Sequence, residues 1–169
     1  LLFDRNTFPY PSSPDGRIPV PDGGGMLDVV ATFGVLASAT TTLRLGTGVN
    51  ILPQPNPLYF AKQAASLDVL SGGRLLLGVG VGWLREEYAA LGVPFERRGE
   101  RFDDYLTAIK KVWSGEVVEH QSPYLQWSGF KSHPRPAQRP LRLRPLDSTS
   151  RAVLPTRYGL QDRAVAADN

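Results

Sequence analysis

Two apolar segments flank one helical pattern in the first half of the chain. Residues 43–49 and 74–80 are near-continuous apolar runs that contain glycine, which predicts two buried strands. Between them, Asn56 and Pro57 are typical of a helix start, and the apolar positions that follow recur at helical spacing as far as Gly72. We therefore predict one strand–helix–strand unit with parallel strands.

The hydrophobic pattern of the rest of the chain is less regular. It predicts helices over residues 26–39, 84–91 and 100–113, and a hairpin over residues 116–130 with its turn at Ser128-Gly129. Residues 1–25 are predicted to be a loop, and residues 141–169 give no helix or strand. Near-continuous apolar strands imply a parallel sheet that is covered on both faces, so an α/β barrel and a doubly wound sheet both fit.

Composition narrows the classes of function. The chain has no cysteine, which excludes disulfides and thiolate metal sites. It has no apolar run long enough to span a membrane and no secretory leader, so we expect a cytoplasmic protein. Because the first residue is Leu1, we expect that the sequence starts inside a longer reading frame.

The excess positive charge lies at one end of the chain. Residues 132–169 carry seven Arg and three Asp, a net charge of +4, whereas residues 1–131 have a net charge of −1. The basic part has no interleaved aromatic residues of the kind that bind single-stranded nucleic acid. We therefore predict no nucleic-acid partner.

A glycine-rich run, GVGVGW over residues 78–83, ends the second predicted strand. A dinucleotide-binding fingerprint requires glycine at the sixth position, where this chain has Trp83, and the helix that follows is short. We therefore reject the dinucleotide interpretation. Two alternatives stay open: close packing of the strand against a neighbour, or backbone contact with a ligand.

Small residues also end the first predicted strand, in the sequence Gly46-Thr47-Gly48-Val49, before a segment interrupted by prolines. This composition permits unusual backbone geometry, which is frequent at functional sites. An ordinary exit from a strand into a loop is the alternative that the residues leave open.

Titratable side chains give no catalytic set. His120 and His133 lie in hairpin or loop sequence without metal-ligand spacing, so we expect two exposed histidines and no metal site. The pairs Glu86-Glu87 and Asp103-Asp104 are expected to be solvated helix faces. Since no nucleophile motif is present either, a bound cofactor would have to supply the chemistry.

Several segments together resemble the luciferase-like monooxygenase superfamily. The likeness rests on LGTGV before a proline-rich loop, and on the segments AKQAASLDVLSGGR, LGVGVGW and LREEYAALGVPFERRGER. It covers about residues 8–140 and is greatest for the actinobacterial branch of F420-dependent oxidoreductases. These motifs are specific for the superfamily and less specific for a cofactor or a substrate.

The resemblance implies an α/β fold, an incomplete (β/α)8 TIM barrel of the luciferase-like type in which strands 3 and 4 and their helices are present. In that fold the site lies at the carboxyl ends of the strands. Relatives bind coenzyme F420, a deazaflavin, or FMN there. The matching positions, which are implied to contact the cofactor, are Thr47, Gly48, Val49, Gly80, Val81 and Gly82.

The resemblance also implies details of this site. In relatives the first of the two strands ends in a bulge, often with a non-prolyl cis peptide bond, that supports the isoalloxazine ring. By position this bulge falls at Gly48-Val49, and Trp83 is expected to face the substrate. No catalytic acid or base is carried over, because tryptophan cannot transfer a proton; the catalytic residues stay unknown.

The chain departs from the family pattern at both ends. Relatives have a strand, a helix and a second strand before the segments matched here. After residue 140 they continue with an apolar strand and a glycine pair that helps to bind phosphate, whereas residues 141–144 here read LRLR. We expect a partial luciferase-like barrel domain over residues 1–140 and a non-family tail over residues 141–169, either disordered or frame-shifted.

Three functional interpretations follow. The first is a fragment of an F420-dependent oxidoreductase that transfers a hydride between the deazaflavin and a small organic substrate. The second is an FMN-dependent monooxygenase that uses dioxygen, and the third is a non-catalytic truncated remnant. The expected partner is a small-molecule substrate, with neither nucleic acid nor a membrane, and the resemblance allows for a homodimer in full-length relatives.

Overall fold

The computed structural model describes residues 14–16 and 25–145. Most of the loop predicted over residues 1–25 lies outside this part, and so do residues 146–169. The elements in chain order are α1 Val29–Ala39, β1 Leu45–Gly46, β2 Asn50–Ile51, α2 Pro57–Leu70, β3 Leu75–Gly80, α3 Arg85–Ala90, α4 Arg98–Trp113, β4 Val118–Gln121, β5 Gln126–Phe130 and β6 Leu143–Pro145.

Strand β3 is the centre of a parallel sheet. β1 and β2 both pair with one edge of it, since the Leu45 and Leu52 N–H groups donate to the carbonyls of Arg74 and Gly80, which point to the same edge. β6 pairs with the opposite edge, where the Leu77 N–H donates to the carbonyl of Arg142. Within the described residues the sheet is open, as expected for an incomplete barrel.

Strand β6 is a difference from the sequence analysis, which assigned no strand after residue 140. The segment 141–145 carries only two leucines, and arginine and proline surround them. Pairing with β3 along three residues, and burial of Leu141, overrides this weak local pattern. The nature of the tail beyond residue 145 stays a prediction.

The first predicted strand, residues 43–49, is also different. It is divided into β1 and β2, and the pairing with β3 shifts between them. Gly46 pairs with Leu76 and Asn50 pairs with Val79, so three residues, 47–49, lie opposite the two residues 77–78. One extra residue on one strand is a β-bulge.

Helix α2 begins and ends where the sequence predicts. The Asn56 side chain accepts hydrogen bonds from the N–H groups of Leu58 (2.9 Å) and Tyr59 (3.3 Å), and Pro57 occupies the first helical position. Gly72 follows the helix with a φ of 62°, a conformation that favours glycine. The placement of β3 after this helix is therefore fixed by local chemistry.

The hydrophobic core lies between the sheet and helices α1, α2 and α4. Leu75, Leu77 and Val79 alternate along β3 and are buried in it. By the same alternation, Gly78 and Gly80 lie on the opposite face of β3, which therefore carries no side chain at these two positions.

A buried carboxylate joins distant parts of the chain. Asp68, on α2, is fully buried and accepts hydrogen bonds from the backbone N–H of Gln138 (2.8 Å) and from its side-chain amide (2.7 Å). The same amide donates to the carbonyl of Leu75 (2.8 Å). Gln138 thereby fixes the segment that leads into β6 against the junction of α2 and β3.

The predicted hairpin is confirmed, but its turn was misplaced. The turn connects Ser122 to Leu125, where the Ser122 N–H donates to the Leu125 carbonyl (2.9 Å) and the Ser122 hydroxyl accepts from the Leu125 N–H (2.9 Å). The predicted turn residues, Ser128-Gly129, lie inside β5 instead. A serine side chain that hydrogen-bonds to the backbone of its own turn is a weaker sequence signal for a turn than the dipeptide Ser-Gly.

Candidate functional site

The bulge is held in place by a threonine. The Thr47 N–H donates to the carbonyl of Leu76 (3.1 Å), and its hydroxyl donates to the carbonyl of Gly78 (2.7 Å), which lies opposite the bulge. These two bonds fix where the extra residue is accommodated. The resemblance places a bulge at Gly48-Val49, and the structure has one over residues 47–49.

The segments that follow β2 and β3 lie side by side, and we call residues 51–54 and 80–83 the strand exits. Ile51 pairs with Gly80, and the next N–H, that of Leu52, donates to the Gly80 carbonyl (3.0 Å). Gly82 has a φ of 71°, and a Cβ added there would lie 2.8 Å from Cγ2 of Ile51. Backbone conformation and close approach therefore both require glycine at position 82.

Two side chains from the neighbouring helices hold the second strand exit. The Tyr88 hydroxyl on α3 donates to the carbonyl of Val81, and Nε of Arg98 on α4 donates to the carbonyl of Gly82 (3.1 Å). Both residues lie in the segment LREEYAALGVPFERRGER, which supports the family resemblance. The sequence assigned no role to either of them, because their partners are backbone carbonyl groups.

Tyr88 is suited to this role by its environment. Its side chain is fully buried, and the Phe95 ring packs edge-on against it at 5.4 Å between centroids. Burial raises the pKa of Tyr88 to about 12, with Arg98 and Arg101 opposing the shift. The phenol therefore keeps its proton, and donates it, across the neutral pH range.

The loop after β2 is linked to the same helix. The amide of Gln54 donates to a carboxylate oxygen of Glu87 at 2.7 Å, and both residues are half-buried. Glu86 is half-buried as well, so the expectation of a solvated Glu86-Glu87 face was wrong. The bond from Gln54 to Glu87 therefore ties the first strand exit to α3.

The surface of the bulge is open and apolar. Gly48 is exposed, with no atom within 4 Å of an added Cβ, and the Val49 side chain is 41% exposed. The cis peptide bonds in the described part are His133–Pro134 and Arg139–Pro140, so the non-prolyl cis bond expected at Gly48-Val49 is not found. An apolar, backbone-lined surface of this kind fits one side of a planar aromatic ring system.

The structure thus brings the predicted site residues to one place. Thr47, Gly48 and Val49 form the bulge on one edge of β3, and Gly80, Val81 and Gly82 form the neighbouring strand exit. The half-buried Trp83 follows directly. Their cofactor and substrate roles stay predictions.

A second polar group lies elsewhere, on the hairpin, and corrects two expectations. His120 is 5% exposed rather than exposed, and its Nε2 lies 2.8 Å from Asp104 Oδ1. The Ser122 hydroxyl donates to the other oxygen of Asp104 (2.8 Å), and the Trp127 ring stacks on His120 at 4.7 Å. Asp104 is therefore not solvated, although Asp103 and His133 are exposed as expected. We call His120, Asp104, Ser122 and Trp127 the hairpin cluster.

The hairpin cluster has catalytic residue types without catalytic geometry. Asp104 lies between His120 and Ser122, and the serine hydroxyl donates to the carboxylate, not to the imidazole. An activated nucleophile needs the base next to the hydroxyl. These residues therefore attach the hairpin turn to α4.

A concave surface also lies at the hairpin. It has a volume of about 540 Å³, and its lining residues are Lys111, Glu119, His120, Gln121, Gln126, Trp127 and Ser128. None of the predicted site residues lines it. A site at the end of an open sheet lacks the walls that the rest of a barrel supplies.

The described residues contain no group of three or more His, Cys, Asp or Glu side chains arranged to hold a metal ion. No helix among them is both long enough and apolar enough to cross a membrane.

Known proteins are similar to this chain in sequence. An uncharacterized protein of Mycobacterium tuberculosis is 35% identical over 129 residues, 76% of this chain and 45% of that protein. The oxygenase component of flavin-dependent trigonelline monooxygenase from Acinetobacter baylyi is 36% identical over 107 residues, 62% of this chain and 29% of that protein.

Solved structures agree on the fold. The monooxygenase RslO1 from Streptomyces bottropensis is 31% identical with a TM-score of 0.66, covering 72% of this chain and 37% of that one. The coenzyme F420-dependent tetrahydromethanopterin reductase from Methanopyrus kandleri, 23% identical, has a TM-score of 0.58 and covers 66% of this chain and 36% of that one.

The chain matches only part of the length of its relatives. The matched part is less than half the length of the mycobacterial relative. The profile of one family, luciferase-like monooxygenase, matches residues 8–152 and so extends past residue 140, where the sequence likeness was expected to end. The fold is an incomplete luciferase-like TIM barrel, and the chain belongs to the luciferase-like monooxygenase family.

Proposed function

We propose that this chain carries part of the cofactor-binding face of an F420-dependent oxidoreductase. The reaction would be hydride transfer between the deazaflavin and a small organic substrate. One observation carries the proposal: the bulge fixed by the bond from Thr47 to Gly78 lies beside the glycine-rich strand exit, at the carboxyl end of a parallel sheet.

The chain's own residues would bind and orient the cofactor. Gly48 and Val49 would support one face of its ring, and the backbone of residues 80–82 would border its edge. Trp83 would close the site on the substrate side. When bound, the deazaflavin supplies the hydride chemistry, for which the side chains of the strand exits have no equivalent.

The choice of F420 rests on the likeness of residues 8–140 as a whole to the F420-dependent branch. FMN is the second candidate, with dioxygen as co-substrate. It is favoured by the relative from Acinetobacter baylyi, which is named as flavin-dependent and is 36% identical over the matched part. Both cofactors present a planar tricyclic ring, which suits the same apolar surface.

Titration of the 169-residue chain with F420 and with FMN tests the proposal, with the fluorescence of each cofactor as the signal. Tighter binding of F420 supports the first candidate, and tighter binding of FMN supports the second. Binding of neither would contradict both and would favour the non-catalytic remnant.

A matched pair of variants tests the location. Val49→Glu places a carboxylate on the proposed ring-binding surface, and Val117→Glu makes the same change at a 67% exposed valine before the hairpin. We expect Val49→Glu to weaken binding by about tenfold or more, because the carboxylate would lose solvation against the ring. Equal effects of the two variants would place the cofactor elsewhere.

A further inference from the structure

Two successive carbonyl groups in the second strand exit accept hydrogen bonds from side chains. The Tyr88 hydroxyl donates to Val81, and Arg98 Nε donates to Gly82. Both donors come from the helices that follow the strand, α3 and α4. The Tyr88 side chain is fully buried and the Arg98 guanidinium packs on the Phe95 ring, 3.9 Å from its centroid, so neither donor is free to move away.

This arrangement determines where one N–H group points. The peptide bond between Val81 and Gly82 is trans, because the cis bonds of the described part lie at residues 133–134 and 139–140. In a planar trans peptide the carbonyl and the N–H point in opposite directions. Since the Val81 carbonyl points to Tyr88, the N–H of Gly82 points away from α3.

The Gly82 N–H is the donor that this geometry leaves for a ligand. Across the described ranges, no hydrogen bond involves it. The preceding glycine is different, since Gly80 is paired with Ile51 within the sheet. A partly buried N–H without a partner is costly, and a ligand acceptor would remove that cost.

We propose that Tyr88 and Arg98 are positioning residues that turn the Gly82 N–H toward the cofactor, where it donates a hydrogen bond to a ring carbonyl oxygen. The inference rests on the proposed function and adds to it a specific donor and the side chains that aim it. It also accounts for the glycine at position 82, because the φ of 71° that allows this turn is unfavourable for other residues.

Selective isotope labelling can observe this one N–H in the full chain. The sequence contains Val-Gly only at Val79-Gly80 and Val81-Gly82. Labelling valine carbonyls with ¹³C and glycine nitrogens with ¹⁵N therefore yields two correlated amide signals in an NMR spectrum. Gly80, which is already paired in the sheet, serves as the internal control.

The variant is Tyr88→Phe, and its matched control is Tyr105→Phe, which removes the hydroxyl of a half-buried tyrosine on α4. On addition of F420 or FMN to the unsubstituted chain, we expect the Gly82 proton signal to move downfield while the Gly80 signal changes little. Tyr88→Phe should abolish that shift and weaken binding by about fivefold to tenfold. Tyr105→Phe should behave like the unsubstituted chain.

Two results overturn the inference alone: binding of cofactor without a change at Gly82, or an unchanged Gly82 shift in Tyr88→Phe. If the unsubstituted chain binds neither F420 nor FMN, the proposed function fails, and the inference fails with it. If Tyr88→Phe lowers thermal stability but leaves the Gly82 shift intact, Tyr88 has only a structural role.

Discussion

The strand exits and the hairpin cluster are built in opposite ways. The hairpin cluster holds the residue types that catalysis most often uses, and their side chains bond to one another within 2.8 Å. The strand exits offer almost no reactive side chains, but side chains from α3 and α4 are used to hold their backbone. Residue types alone would identify the hairpin cluster as the candidate functional site. The pattern of hydrogen bonds identifies the strand exits instead.

The difference lies in which groups are left to act on a ligand. In the hairpin cluster, Asp104 is occupied by His120 and Ser122, so its charge serves the fold. At the strand exits the carbonyls of Val81 and Gly82 are occupied, whereas the N–H of Gly82 is available. Polar side chains that satisfy one another stabilise the fold, and a backbone N–H that is left over can bind a ligand.

The largest expected effect is a difference in stability between alanine substitutions at two glycines that share a backbone conformation. Gly82 has a φ of 71° and Gly129, in β5, has a φ of 65°, but only Gly82 would place a Cβ against another residue. Gly129→Ala should cost about 1 to 2 kcal/mol for its conformation. Gly82→Ala should cost about 3 kcal/mol, since crowding against Ile51 adds to the same penalty.

Urea unfolding of both variants measures the difference between their losses of unfolding free energy. Equal losses of unfolding free energy would show that the contact with Ile51 contributes nothing, and that the two regions respond alike.

The second largest effect is expected at alkaline pH, where ionisation of Tyr88 should lower the free energy of unfolding. Tyr88 has a pKa of about 12 in the folded chain against 10.0 for an ordinary tyrosine, so the folded state retains the proton more strongly. This stabilisation is fully present below about pH 10 and is lost as pH rises toward 12, at a cost of about 2 kcal/mol.

Unfolding free energies across that range should therefore fall less steeply for Tyr88→Phe than for the unsubstituted chain. Tyr124→Phe, at the hairpin turn, provides the comparison from the other region and should alter the slope less. A slope that neither substitution changes would mean that other groups cause the alkaline loss.

In the hairpin cluster, removal of the shared acceptor should be the sensitive change. Asp104→Ala leaves His120 and Ser122 without their common partner and should cost about 2 kcal/mol. Asp103→Ala, one position earlier on the exposed side of α4, should change stability by less than about 0.5 kcal/mol. Hydrogen exchange of the hairpin amides would report whether the turn detaches from α4, and unchanged protection would argue against this anchoring role.

The smallest effect should come from the bulge. Thr47→Val keeps the shape of the side chain but removes the bond to the Gly78 carbonyl, at a cost of about 1 kcal/mol. Thr107→Val removes an exposed hydroxyl that bonds within α4, and should cost less than about 0.5 kcal/mol. Thermal unfolding resolves the two, and similar midpoints would mean that the bulge does not depend on Thr47.

Local chemistry made much of the fold predictable. Asn56 and Gly72 mark the ends of α2 because a capping side chain and a left-handed residue act within a few positions of the helix. The strand–helix–strand unit, the parallel sheet and α4 follow from apolar spacing in the same way. The set of residues at the strand exits came from the family resemblance, and the structure brings them together.

Most of the errors depend on contacts between distant residues. The division of the predicted strand 43–49 is defined by the pairing of residues 46 and 50 with β3, which no apolar run reveals. His120 is buried because the hairpin folds onto α4, and β6 forms because β3 offers a free edge. Tyr88 and Arg98 were missed for the same reason, since their partners are carbonyl groups that the sequence does not distinguish.

The buried bond between Asp68 and Gln138 has a consequence for how the chain folds. Strand β6 can join the sheet only after a loop of more than sixty residues closes, and closing such a loop is entropically costly. Gln138 meets its carboxylate partner just before β6 begins, so in a chain where this bond has formed the loop is already closed. Pairing of β6 is then a local search of a few residues, and early pairing would cover an edge of β3 that could otherwise associate with a second chain.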